Sequence, residues 1–117
     1  MQFELWANWV QHQRGFWFVR GATHYGISRD LQKILHLRQH IIPITDYIRM
    51  MHPEDSGRVV SVLERAGTYM PQHVVINDPV RIQSMPGVWI AFITVANLIH
   101  PPPDLVYLGL ATRVRCD

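Results

Sequence analysis

The sequence predicts an α+β domain: an antiparallel sheet of five strands, short helices on one face, and an amphipathic helix at the N-terminus. Three observations predict it. Apolar residues follow a helical period at the start of the chain and between residues 29 and 67, and a period of two elsewhere. The period-two segments follow one another across Gly- and Pro-containing turns, which join antiparallel neighbours. The remaining helical segments are clustered rather than alternating with strands, which sets the pattern apart from a parallel α/β fold.

Each element has a local justification. Phe3, Leu5, Trp6, Trp9 and Val10 recur at near-helical spacing, with Asn8, Gln11 and His12 largely on the other side. The spacing predicts a helix over residues 2–13, ended by Gly15. So short a helix is marginal alone, and its tryptophans must dock somewhere. Phe16-Trp17-Phe18-Val19 is aromatic and β-branched and lies between Gly15 and Gly21, which predicts a strand; residues 24–27 form a second. Ser28 suits an N-cap, Asp30 the first turn, and Leu31, Ile34 and Leu35 an apolar stripe, so residues 29–37 read as a helix. Residues 38–43 read as a connector. Thr45 or Asp46 can cap a short helix over residues 47–51.

Pro53 fits a first helical position, with Glu54 and Asp55 complementing the helix dipole. Val59, Val62, Leu63 and Ala66 make the apolar stripe, and Gly67 the predicted end. Beyond it, residues 73–76 and 80–83 read as strand pieces about a turn at Asn77-Asp78-Pro79. Met85-Pro86-Gly87 is the next turn. Residues 88–98 and 106–115 are long strands, joined by a loop through His100-Pro101-Pro102-Pro103-Asp104.

Composition narrows the function classes. The 117 residues fit one domain, and 48% apolar content excludes disorder. Eleven basic against nine acidic residues give a net charge of +2, so the pI near 9.0 reflects a small excess. The basic residues are scattered, which argues against a nucleic-acid surface. At 17% charged residues, part of the surface is expected to be covered. The single cysteine, Cys116, excludes an intrachain disulfide and any multi-thiolate metal site, and reads as an idle thiol. No signal-peptide pattern is visible, and the longest apolar run, residues 88–96, is too short to span a bilayer as a helix. A soluble, cytoplasmic domain is the expectation.

The punctuating residues resemble those of a PAS domain. Gly15-Phe16-Trp17 looks like the Gly-x-Trp opening of the first PAS strand. Ser28 with Leu31, Ile34 and Leu35 matches the helix after the second strand. His52-Pro53-Glu54-Asp55, followed by Val59 and Leu63, matches the entry to the long PAS helix. Arg81, Gly87 and Trp89 sit where the family often has Arg, Gly and Trp. Tyr107-Leu108-Gly109-Leu110 looks like the start of the last strand. The match covers residues 15–115. It divides the chain into an N-terminal helix, residues 1–14, and a PAS-like sensory domain, residues 15–117. PAS domains often end in Asp-Ile-Thr; here Arg113-Val114-Arg115 stands in that place. Both a segment of a longer signalling protein and a stand-alone PAS protein fit that ending.

Along residues 88–98, Ile90, Phe92 and Thr94 form one parity and Trp89, Ala91, Ile93 and Val95 the other. Both are largely apolar, so both sheet faces should be covered. The resemblance implies that the first set faces the PAS cavity, together with Tyr107, Gly109 and Ala111. Trp89 and Ile93 would then lie on the outer face, available to Trp6 and Trp9. It further implies a homodimer formed through the N-terminal helix and outer sheet, the alternative being a helix folded onto its own sheet.

The cavity lining so implied is Ile34, Leu35, Tyr47, Met50, Val59, Val62, Leu63, Ile90, Phe92, Thr94, Tyr107 and Ala111. An apolar set with a few hydroxyls suits a small organic ligand; the same residues also make a filled core. His52, Glu54 and Asp55 have the chemistry of metal ligands or acid–base groups, but a helix start accounts for every residue of the motif. His36 and His40 stand four apart, as zinc or copper ligands on a helix do, yet the predicted helix ends near Leu37 and no cysteine or nearby acid completes a set. One of the two would be the proximal ligand in a haem-binding PAS domain. LOV-type flavin chemistry is excluded. Leu31-Gln32-Lys33-Ile34-Leu35-His36 lacks the reactive cysteine, and Ala111 replaces the flavin-contacting glutamine. Ser28, Ser56, Ser61 and Ser84 lack a nucleophile elbow, and no Gly-rich phosphate loop is present.

The resemblance therefore implies a sensory or regulatory domain, not an enzyme. It would bind a small molecule or partner and relay a conformational change to a histidine kinase, cyclic-dinucleotide or transcriptional effector. A ligand-free dimerisation module and a haem- or metal-binding cavity protein are the alternatives.

Overall fold

The computed structural model describes residues 2–115. Helix α1 spans Gln2–Gln11, followed by strands β1, Phe16–Arg20, and β2, His24–Ile27. Then come α2, Arg29–Ile34; β3, Ile41–Pro43; α3, Ile44–Arg49; and α4, Pro53–Tyr69. Strands β4, His73–Met85, β5, Val88–His100, and β6, Val106–Val114, complete the chain. The sheet is antiparallel, in the order β3-β2-β1-β6-β5-β4.

The sheet has six strands, not five. The extra one is β3, in the stretch expected to be a connector. Ile41 and Ile42 are β-branched and pair with Gly26 and Tyr25. Pro43 is tolerated because β3 is an edge. Other differences concern ends. Helix α2 stops at Ile34: His36 takes a left-handed φ of 54°, and the Leu37 amide bonds the Gln32 carbonyl. Helix α3 starts at Ile44, ahead of the expected caps, behind Pro43. Helix α4 runs through Gly67 and closes at Met70, whose φ is 48°. A helical glycine costs only about 1 kcal/mol, and the turn is held by Ala66, which is buried.

Strand β4 is continuous where a turn was expected. Ile76 pairs with Thr94 and Val80 with Phe92, so Asn77-Asp78-Pro79 bulge out opposite Ile93. Arg58 of α4 donates to the carbonyls of Asp78 (2.8 Å) and Pro79 (3.1 Å) and so satisfies the bulge. Ile76 and Val80 consequently keep the same face. At the β4–β5 hairpin, Pro86 and Gly87 make the turn, and Gly87 supplies the φ of 78° that a Pro-Gly turn requires.

The sheet separates two layers. Outside, α1 packs against β1, β2 and β6, with Ala7, Val10, Val19 and Val106 fully buried. The approach is close: a Cβ on Gly26 would lie 2.7 Å from the Ala7 Cβ. The helix thus folds onto its own sheet. Trp9 meets Trp6 and Trp17 edge to face, at 5.5 and 5.9 Å. Trp89 instead sits against the His52 ring, at 4.8 Å. Within one chain Trp6 and Trp9 cluster on Trp17 and not on Trp89, because α1 lies over β1 and β2. Inside, α2 to α4 cover the other face around Phe92, Ile27, Leu31 and Leu35.

Candidate ligand cavity

Strand alternation decides which side chains reach the inner layer. On β1, Trp17 and Val19 pack towards α1, whereas Phe18 and Arg20 face inward. On β6, Val106 and Leu108 face α1, whereas Tyr107 and Ala111 face inward. Gly109 lies between them, and the Phe18 ring occupies the space where its Cβ would be.

Between this sheet face and helices α3 and α4 lies a cavity of about 70 Å³. A single water needs about 10–15 Å³ on such a measure. Its apolar wall includes Val59, Val62, Leu63 and Ala66 of α4, Val74, Ile76, Val80 and Ile82 of β4, and Phe92 and Ala96 of β5. Phe18 and Met51 complete that wall, and Arg20, Tyr25, Tyr47, Thr94 and Tyr107 contribute polar atoms.

Of the residues expected at the cavity, Tyr47, Val59, Val62, Leu63, Phe92, Thr94 and Tyr107 line it. Ile34, Leu35, Met50, Ile90 and Ala111 do not. Leu35, Ile90 and Ala111 are buried in the core beside it, with Ile34 and Met50 packed against that core. The physical reason is the early end of α2 and the closing of the β1 and β5 walls by aromatic contact: Phe16 and Phe92 meet at 5.6 Å. Neither His36 nor His40 lines the cavity. Among the described residues there is no group of three His, Cys, Asp or Glu placed to hold a metal. Cys116 lies outside the described residues.

Sequence reasoning missed Arg20 and Tyr25. Arg20 ends β1 and pairs with Tyr25 on one side and Tyr107 on the other. Its Nε is the one buried side-chain nitrogen or oxygen among the described residues with no hydrogen-bond partner. Such an orphan costs about 1–3 kcal/mol. Strand alternation, counted from Phe18, is the signal that would have found it. The tyrosines beside it stay protonated. Burial pushes the Tyr25 hydroxyl up to about 12, against a smaller opposing effect of the Arg20 charge. Burial raises Tyr47 further and also raises Tyr107. The Tyr107 hydroxyl donates to the Pro71 carbonyl at 2.9 Å, which ties β6 to the turn after α4.

At the other end of the wall, His52-Pro53-Glu54-Asp55 is a helix start and a clamp. The Glu54 amide donates to His52 Nδ1 at 3.1 Å. Buried Asp55 accepts from the Arg81 amide and Nε, both at 2.9 Å, and from its Nη2 at 3.1 Å. Those side-chain bonds hold the Asp55 carboxyl down at about 2 against the opposing effect of burial. Backbone bonds from His52 N to Arg81 O and from Gln83 N to Met50 O, each 2.8 Å, extend the clamp. The N-terminus of α4 is thereby fixed to β4.

A second, wider depression of about 360 Å³ lies between α1, the β1–β2 turn and the segment before β6. Its wall includes exposed Glu4, Ala22, Thr23 and Pro103, so it is a surface groove rather than an enclosed site.

No family model matches the chain, and no curated protein does. A sensory box histidine kinase/response regulator from Burkholderia thailandensis has a similar structure. The two superpose with a TM-score of 0.66 at 14% sequence identity, over 97% of this chain and 85% of that one. The fold is PAS-like. No helix among the described residues is long and apolar enough to cross a membrane.

Proposed function

We propose that this chain is a sensory or regulatory domain of a signal-transduction protein. It binds a small organic molecule between the sheet and α4 and passes a conformational change to an effector. The observation that carries this reading is the cavity: mostly apolar walls with a few convergent polar groups, the usual composition of a small-molecule site. The fold shared with a sensory box protein supports it. A ligand touching both α4 and β5 favours the helix–sheet packing it fits best and shifts that population. Catalysis, on this reading, belongs to an attached effector such as a histidine kinase, and the domain works in the cytoplasm.

The proposal includes a homodimer. Helix α1 covers only the β2, β1 and β6 side of the outer face. Val75 of β4 and Val95 of β5 remain 41% exposed. That bare strip also favours the second reading, a ligand-free interaction module.

Native mass spectrometry of the purified protein, with a denatured control, tests both. A dimer carrying a small adduct released on denaturation is the expected result. A bare dimer overturns ligand sensing in favour of the interaction module, and a bare monomer removes the dimer as well. A Soret band would establish the haem alternative instead.

A further inference from the structure

We infer that the cavity recognises a short aliphatic monocarboxylate, held by Arg20. This deepens the proposed ligand-sensing reading and rests on it. The lining holds one cationic side chain, Arg20, and no Asp or Glu. Arg20 reaches the wall without a partner for Nε, whereas Arg81 of β4 has both Nε and Nη2 engaged by carboxylates.

A carboxylate is the group that completes such a site. Its oxygens accept from the guanidinium, whose planar fork matches a carboxylate. Tyr25, the register neighbour of Arg20 on β2, flanks the position with a protonated phenol, while Tyr107 on β6 spends its proton on the Pro71 carbonyl. The tail meets Val62, Leu63 and Phe92.

Size and charge sharpen the class. The volume of about 70 Å³ is well below the roughly 150 Å³ at which an apolar cavity takes six-carbon benzene, so the acid is smaller than benzene, with about two or three carbons in all. With no acid in the lining, the ammonium of an amino acid would be buried without a counter-charge, which disfavours amino acids.

The test is calorimetric titration of the intact protein with acetate and propionate, each paired with its neutral amide, and with glycine and alanine. At least one acid should bind at least tenfold more tightly than its amide. That acid should weaken at least tenfold on Arg20→Met and recover in part on Arg20→Lys. Amides binding as tightly as their acids would overturn carboxylate recognition while leaving the ligand cavity standing. Binding by neither acids nor amides would overturn this assignment, and a released adduct of other chemistry in native mass spectrometry would show that the sensing reading survives it. The acid–amide comparison uses the unaltered protein and so decides even if a variant fails to fold.

Discussion

Arg81 on β4 and Arg20 on β1 belong to the same sheet, and their surroundings differ in kind. Arg81 lies beside the first turn of α4, where Glu54 and Asp55 meet its guanidinium at 2.9–3.1 Å. Arg20 lies between two tyrosines, faces an apolar cavity, and has an unpartnered Nε. The first environment is what a structural clamp looks like. Nε and Nη2 have carboxylate acceptors, and the acid is held ionised. The second contains a donor whose acceptor the chain does not supply. An arginine that costs stability where it stands is better explained by something it binds than by the fold it belongs to.

The largest expected effect lies at the clamp. Asp55→Ala strips Arg81 and Arg58 of a shared acceptor and leaves the Arg81 amide unpaired. It should cost roughly 2–3 kcal/mol in urea denaturation. Arg81→Met should lower stability in the same direction. Unchanged midpoints in both would break the comparison.

The next effect is on pH dependence. Folding lowers the Asp55 pKa from 3.8 to about 2. The stabilisation is therefore complete above about pH 4 and lost as the pH falls towards 2, because the unfolded chain takes up the proton first. After allowance for screening it amounts to roughly 1–2 kcal/mol. Thermal melts across that window should show the fall, and Asp55→Asn should flatten it.

A smaller effect is expected within the cavity. Ala66→Leu adds bulk to the α4 wall, a change that costs about 1–3 kcal/mol in a filled core and less where the cavity takes the added side chain. The same variant should abolish any adduct seen in native mass spectrometry. Retention of the adduct would move the binding site elsewhere.

The smallest effect sharpens the contrast most. Arg20→Met removes a charge with an orphaned nitrogen and keeps an apolar stem. Stability should stay within about 0.5 kcal/mol or rise. A loss as large as that at Arg81 would mean that Arg20 has a structural partner after all.

Much of the fold was legible because its signals are local. Ser28 was read as an N-cap, and its Oγ accepts from the Leu31 amide at 3.2 Å. Pro53 and the two acids after it were read as a helix start, and α4 begins at Pro53. Parity puts Ile90, Phe92 and Thr94 on one face, and the resemblance turns that face to the cavity; Phe92 and Thr94 line its wall, and Ile90 lies in the adjoining core. Less legible was anything that depended on a distant neighbour. The pairing of Ile41 and Ile42 with β2 turned a connector into a strand. Arg58, reaching from α4, turned a predicted turn at Asn77-Asp78-Pro79 into a bulge. Asp55 looked like a first-turn acid complementing a dipole, and nothing adjacent to it marked Arg81, 26 residues on, as its partner.

The sequence by itself determined the α+β class, the order of the elements other than β3, the start of α4 and the alternation that gives each strand its two faces. These follow from residue type and period, which act within one or two turns of helix or along one strand. The tertiary structure alone decided that α1 lies over β1, β2 and β6, that the sheet has a sixth strand, and that Arg81 is satisfied while Arg20 Nε is not. Burial and ion pairing depend on which segments approach one another across the sheet, and that arrangement emerges only when the whole chain packs.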